Sequence, residues 1–381
     1  MAVWIKSSNV LVGGRFAPAE ILVEQGRIVA VGKTVCRPAG CQAVDLGEKT
    51  VMPGLIDTHI HGFAGWDTMD CTEEALMSIA RALPKAGVTS FYPTTMTASR
   101  ENIQSALRCV AKVMGKPTGG ARVLGAFLEG PFISAEHRGA QPLESIVPID
   151  LPWVEKLCAA YPGALKKMIL APELPGAAEA VAFFKEKGIV AALGHSSATY
   201  NQAKGCVEAG ASVAVHTYNG MSSLHHREPG MAGAAMHLNQ LYAELICDGI
   251  HVHPAAMEVL LRCKGPEKLM LISDCMRAGG MEDGEYMLGD TKTVVKNGIA
   301  CTESGALAGS TLRLIDGVKN AVSLLGLPLE QAAAMASQVP AMAMGIYGET
   351  GSIAPGKWAD IIAIDGEYQV EFAMVNGKSV L

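Results

Sequence analysis

Pro53-Gly54-Leu55-Ile56-Asp57-Thr58-His59-Ile60-His61-Gly62 decides how the rest of the chain is read. Asp57, His59 and His61 alternate, and alternate side chains of a strand share one face. Two imidazoles on a buried face cost free energy unless something satisfies them. A bound cation does so. So does a pair of hydrogen-bonded histidines at a strand end, and these ten residues alone leave both readings open.

Outward from this stretch, short apolar or β-branched runs recur. With residues 55–59 they are 88–92, 123–128, 168–171, 189–193, 212–216, 243–247 and 269–273. Helical patterns lie between most of them. Leu76, Ile79 and Leu83 share a face, with Thr72 as cap and Gly87 as stop. Ile103, Ala106, Val110 and Val113 repeat the pattern, closed by Gly115, and Gly188 and Gly210 end two more helices. Eight strand–helix units predict an α/β protein built as a (β/α)8 TIM barrel, with an open doubly wound sheet as the alternative. Both chain ends read as short strands broken by Gly and Pro turns. They predict a small β-sandwich domain built from residues 1–52 and 355–381, around a barrel of residues 53–354. Residues 281–306 carry Gly, Asp and Asn turns and a strand-like 293–295. They read as an insertion after the eighth strand, placed near the site mouth because loops after barrel strands carry the chemistry.

Composition narrows the function. Of 381 residues, 49% are hydrophobic, which suits a large core, and the formal charge is −6 without a long Lys/Arg run, which argues against nucleic acid. No apolar stretch is long enough to span a bilayer, so no membrane partner is expected. The first ten residues, MAVWIKSSNV, lack the apolar core of a signal peptide. Ten cysteines without a CxxC pair read as reduced thiols, and a cytoplasmic location is expected.

Polar residues gather at the predicted strand ends. The first strand gives His59 and His61, the third Glu129, the fifth His195, the sixth His216, the seventh Asp248 and His251, and the eighth Asp274. A lone His or Asp at such a place is commonly structural. In a barrel these ends converge, and several buried charges without a common partner are expensive. A divalent metal is expected: imidazole and carboxylate donors without thiolate suit Zn²⁺, Fe²⁺, Mn²⁺ or Co²⁺. Asp274 is the expected catalytic residue, taking a proton from the attacking water and passing it to the leaving amine.

Further motifs carry a resemblance. They are LEGPFIS (128–134), APE (171–173), GHSSA (194–198), HTYNGM (216–221), HREPG (226–230), DGIHV (248–252), SDCM (273–276) and LAGS (307–310). With PGLIDTHIHG, the chain resembles the N-acetylglucosamine-6-phosphate deacetylase family of the amidohydrolase superfamily over essentially its full length. The resemblance implies that Glu129, His195 and His216 hold the main metal. It implies that His59 and His61 can hold a second, with Glu129 bridging and Asp274 close by, so one or two cations per subunit. Arg227, His251 and the backbone amides of Asn219 and Gly220 match the family's phosphate contacts. Such N–H donors and cations are what a sugar phosphate needs. A surface ion pair with Glu228 is the plainer reading of Arg227. Gln141 stands where some relatives carry a His that steadies the amide carbonyl, with an ordinary loop residue as the alternative. Ala140, Leu307 and Ala308 complete the expected substrate-binding set. Lys166 and Lys167 precede the predicted fourth strand and receive no role.

The implied reaction is hydrolysis of N-acetyl-D-glucosamine 6-phosphate to D-glucosamine 6-phosphate and acetate, in amino-sugar catabolism or cell-wall recycling. The alternatives are deacetylation of a related sugar such as N-acetylgalactosamine 6-phosphate, or a non-catalytic amidohydrolase-like binding protein. A homodimer is implied, with Arg227 acting within one chain or across the interface.

Overall fold

The computed structural model describes residues 2–381. Eight parallel strands form the centre: β1 (Leu55–Ile60), β2 (Val88–Thr95), β3 (Ala126–Leu128), β4 (Leu165–Leu170), β5 (Val190–Leu193), β6 (Val213–Ala214), β7 (Tyr242–Ile246) and β8 (Leu269–Ile272). Each pairs in parallel with the next. The ring closes just past β8. Cys275 bridges to Ile60, Asp274 N–H donates to His59 O at 2.9 Å, and His61 N–H donates to Cys275 O at 2.9 Å. These bonds make the sheet a barrel and not an open doubly wound sheet. The strands are buried on both faces, as parallel strands wrapped by helices must be.

Helices follow the strands with the predicted punctuation. Thr72 Oγ1 accepts from Ala75 N–H at 3.1 Å and starts the helix Glu73–Ala82. A 3₁₀ turn, Leu83–Ala86, then ends at Gly87 with φ +80°.

Three strands depart from the pattern in the sequence. The run 123–128 is split into Arg122–Val123 and β3 by Gly125, whose φ is +138°. A Cβ there would lie 2.2 Å from Lys166 Cγ, so only glycine fits. The sixth strand shortens to two residues because the chain turns sharply at His216. The fourth begins earlier than its apolar run. Lys167 therefore lies inside β4, fully buried, and does not precede the strand.

Both chain ends meet in one hydrogen-bonded sheet. Val3–Val12 is its long central strand, pairing with Arg15–Glu24 on one side. On the other side it pairs with Gln42–Asp45 and then Thr50–Pro53. Thr50–Pro53 pairs in turn with Ile361–Ile364. The pairing runs as one sheet, not as two separately bonded layers, over a core that includes Ile5, Ile21, Val51, Ile361 and Met374. Only Gly54 separates this sheet from β1, and its N–H donates to Asp360 O at 2.9 Å. The insertion is more ordered than its sequence suggests. Gly284–Leu288, Thr291–Lys296 and Ile299–Thr302 form a three-stranded antiparallel sheet.

Asp360 joins the two parts. Its buried carboxylate pairs with Arg122 and accepts from Thr350 Oγ1 at 2.9 Å and Asn376 N–H at 2.9 Å. Removing it strands a partly buried guanidinium. Asp360→Ala is expected to lower stability by about 3 kcal/mol, read by denaturant unfolding; an unchanged midpoint would show that Asp360 does not hold the two parts together.

Candidate metal centre

The site begins with backbone geometry. His195, His216 and Asp274 follow β5, β6 and β8, with φ of +44°, +28° and +50°. Left-handed non-glycine residues cost on the order of 1–3 kcal/mol each, so their surroundings must hold them. Ser196 N–H donates to Gly220 O at 2.9 Å, and Ser196 Oγ and Ser197 N–H donate to Glu173 at 2.7 and 2.6 Å. Asn219 N–H donates to His216 O at 2.9 Å, and Ser310 N–H to Asp274 O at 2.7 Å. Each turn brings its side chain to the barrel mouth.

Two groups of ligand atoms result: Glu129, His195 and His216, and His59, His61 and Asp274. All six residues are buried. Glu129 Oε1 lies 3.0 Å from His216 Nε2, 3.3 Å from His195 Nε2 and 3.2 Å from His59 Nε2. Its Oε2 lies 3.3 Å from His61 Nε2, and Asp274 Oδ1 is 3.2 Å from that same nitrogen.

The tautomers decide what fits here. His195 Nδ1 meets His137 O at 2.7 Å, and His216 Nδ1 meets Asn219 O at 3.0 Å. A carbonyl only accepts, so both protons sit on Nδ1 and both Nε2 atoms of the neutral rings present lone pairs. Those Nε2 atoms are only 3.1 Å apart, beside a carboxylate oxygen. Facing lone pairs repel unless something positive lies among them, and this donor set fits a divalent cation. His59 is held likewise, with Nδ1 3.0 Å from Glu244 Oε2.

The charge balance agrees. Burial opposes a charge on His59, yet Asp274 and Glu129 outweigh it and raise its pKa to about 9. His61 is raised well above its ordinary value against the same burial, by Asp274 and Glu129. Burial opposes ionisation of Glu129, but the rings around it hold its pKa well below the carboxylate range. Acids that draw protons so strongly onto imidazoles also draw metal ions, and the two compete. Beneath, Asp57 Oδ1 accepts from His59 N–H at 3.2 Å and Ser273 N–H at 3.4 Å, tying β1 to β8. Burial raises its pKa to about 6.

One cavity opens above these groups. His61, Glu129, His195, His216 and Asp274 line its floor, and Ala140, Gln141, Asn219, Gly220, His251 and Leu307 line its walls. Leu288 and Ala306 reach it from the insertion and its exit. His59 lies below. Ala308 is packed behind the wall in an apolar cluster with Met276 and Leu288, away from the lining. Arg227 sits outside the cavity on an exposed loop, with Nη1 2.8 Å from His226 Nε2. Asn219 does not offer its backbone amide, which is spent on His216 O. Gln141 Nε2 donates to Glu129 Oε2 at 2.7 Å, and its Oε1 accepts from Thr97 N–H at 2.7 Å. It therefore steadies Glu129. His251 Nδ1 lies 2.6 Å from Asp248 Oδ2; burial opposes its charge, but Asp248 raises its pKa.

The strand-end search misses Glu173, Glu244 and Lys167. Glu244 and Lys167 lie within strands, not at their ends. The available signal was a charge inside an apolar run, Tyr242-Ala243-Glu244-Leu245-Ile246.

Comparisons with known proteins give the family and the fold. The amidohydrolase family model matches residues 50–380. N-acetylglucosamine-6-phosphate deacetylase of Vibrio furnissii is 41% identical over 362 residues, covering 95% of this chain and 90% of that one. N-acetylgalactosamine-6-phosphate deacetylase of Escherichia coli O157:H7 is 39% identical over 359 residues, covering 94% of each. A mutant of the Mycobacterium smegmatis N-acetyl-D-glucosamine-6-phosphate deacetylase, solved with N-acetyl-D-glucosamine-6-phosphate, superposes with a TM-score of 0.93 at 32% identity, covering 100% of this chain and 99% of that one.

His195→Ala removes one of the two facing lone pairs. The variant is expected to lose the cation held with Glu129 and His216, measured as metal content of purified protein. Full retention would remove His195 from the ligand set.

Proposed function

The chain belongs to the amidohydrolase family, and we propose that it hydrolyses N-acetyl-D-glucosamine 6-phosphate to D-glucosamine 6-phosphate and acetate, in amino-sugar catabolism or cell-wall recycling. One observation carries this reading: six side chains able to hold metal, from five strand ends, meet at the mouth of a barrel that matches such deacetylases along its length.

Glu129, His195 and His216 would hold one divalent cation, and His59, His61 and Asp274 border room for a second. Zn²⁺, Fe²⁺, Mn²⁺ or Co²⁺ suits this set. Such a cation supplies the Lewis acidity that makes water nucleophilic near neutral pH and polarises an amide carbonyl. Asp274 accepts the proton of the attacking water. As the C–N bond breaks, it returns that proton to the departing sugar nitrogen, and the water oxygen leaves in acetate. Gln141 keeps Glu129 in register. Leu307 and Ala140 shape the wall against the substrate, with Ala308 supporting from behind.

The 6-phosphate meets His251, whose charged form Asp248 favours, and the Asn219-Gly220 turn. Arg227 is too exposed to act from within this cavity as it stands. We place it across a homodimer interface. An apolar groove beside its loop, lined by Tyr200, Leu224, Pro229, Gly233 and Met236, supports that assembly. A reducing cytoplasm suits the chain, since all ten cysteines are free thiols. No helix among the described residues is long and apolar enough to cross a membrane. The galacto epimer is the second reading, favoured by the N-acetylgalactosamine-6-phosphate deacetylase relative.

Asp274→Asn is expected to keep the cation held by Glu129, His195 and His216 and lose about 10³-fold or more in kcat, measured as acetate release; substantial turnover would remove Asp274 from the proton path. Arg227→Ala is expected to raise KM about tenfold for the phosphorylated sugar, as loss of a charge-assisted contact does, and to leave the unphosphorylated sugar unaffected. Equal effects on both would place the phosphate elsewhere. A panel of gluco and galacto substrates distinguishes the two epimers.

A further inference from the structure

Glu244 and Lys167 lie beneath the metal centre, and the reaction above gives neither a role. Both side chains are wholly excluded from solvent. A buried ion pair is no gain in stability over well-packed apolar residues, so its presence asks for another reason. The contacts supply one. Glu244 Oε2 lies 3.0 Å from His59 Nδ1 and accepts from the backbone N–H of His216 at 3.2 Å. Its Oε1 accepts from Lys167 Nζ and, at 3.3 Å, from Thr58 Oγ1. Lys167 Nζ also donates to Thr58 O at 3.3 Å and sits 3.9 Å from the Phe127 ring centre. That same ring meets His59 edge-on, with centres 4.8 Å apart.

One carboxylate thus faces four donors and touches both ligand groups, through the ring of His59 and the backbone of His216. We propose that Glu244 is a positioning residue, oriented by Lys167, that keeps the His59 proton on Nδ1 and so makes cation binding by His59 Nε2 depend on a carboxylate at position 244. The proposal rests on the metal-centre reading. It adds that the cation site at His59, His61 and Asp274 is set from below, by residues that touch neither substrate nor metal.

The isosteric Glu244→Gln variant separates charge placement from packing. Glutamine has a single accepting oxygen. The Lys167 ammonium can only donate and claims that oxygen. The amide NH₂ then faces His59 Nδ1, which must accept, and the ring proton moves to Nε2, where the cation should bind. In Lys167→Met/Glu244→Gln the ammonium is gone. The amide can turn its oxygen toward His59 and restore the original tautomer. A merely structural role predicts the reverse, since the double variant is the more altered.

The test titrates metal-free protein with Zn²⁺ and follows the histidine side-chain ¹⁵N signals. In zinc-loaded wild type, His59 should show Zn²⁺-dependent shifts at Nε2 and an exchange-protected proton on Nδ1. Glu244→Gln should weaken Zn²⁺ at His59 about 10–100-fold, the usual cost of losing an outer partner of a ligating histidine. The signals of His195 should change far less. The double variant should recover affinity at His59. Wild-type affinity in Glu244→Gln would overturn the proposal, as would a double variant no better than the single one. If Glu244→Gln does not fold, the wild-type proton position decides: a proton on Nε2 of zinc-loaded His59 overturns the proposal, and one on Nδ1 sustains it. Wild type that binds Zn²⁺ at none of its histidines would instead remove the metal-centre reading, and this proposal with it.

Discussion

The molecule depends on a concentration of lone pairs that cannot stand alone. Four imidazole nitrogens lie within about hydrogen-bond distance of Glu129, a second carboxylate, Asp274, lies as near to one of them, and all of these residues are buried. In a low-dielectric setting such groups are costly unless positive charge lies among them. Protons can supply it, in competition with a metal ion for the same Nε2 lone pairs, since a carbonyl on the far side of two of the rings already holds the Nδ1 protons. A divalent cation supplies it with better geometry. Much of the surrounding structure serves to keep these groups close.

The barrel makes that closeness possible. No two neighbouring residues could place six ligands about one point; eight strands ending on one rim can. The cost appears in the backbone, where three of the six residues adopt left-handed conformations. Those turns are held by bonds from neighbouring loops, chiefly through Glu173 and the Gly220 carbonyl. Catalytic geometry here is therefore a property of the rim as a whole, and the strain at each turn is offset one loop away.

Much of this is legible in the sequence alone. The alternation in Asp57-Thr58-His59-Ile60-His61 marks a strand, and acidic or imidazole residues after apolar runs mark the rim. Glycines at 87, 188 and 210 mark helix ends. The motifs add the family. What escaped notice has physical reasons. Glu244 and Lys167 interrupt apolar strands, and one sequence does not say whether such a charge faces a partner or is misassigned. Lys167 was also displaced by a strand boundary, the weakest part of any periodicity reading. Gln141 acts on Glu129 because Thr97 turns its amide, a contact between distant loops. The Asn219 backbone amide was spent on a turn whose left-handed start no residue type announces. Arg227 depends on surfaces outside the chain. The pairing of the terminal strands into one sheet depends on register, which alternation alone leaves free.

The terminal sheet bears on how the chain is made. Thr50–Pro53 leaves the early strands and pairs with Ile361–Ile364, almost the whole sequence away. During synthesis the partner does not yet exist. For that time the early strands present an open, apolar edge to the cell, and edges of this kind recruit other chains. The whole barrel segment is made before this seam can be sealed. The strand Ile361–Ile364, made long after its partner, thus acts as a latch, and a chain stalled before it would be a candidate for chaperone capture or aggregation rather than a slightly shorter enzyme.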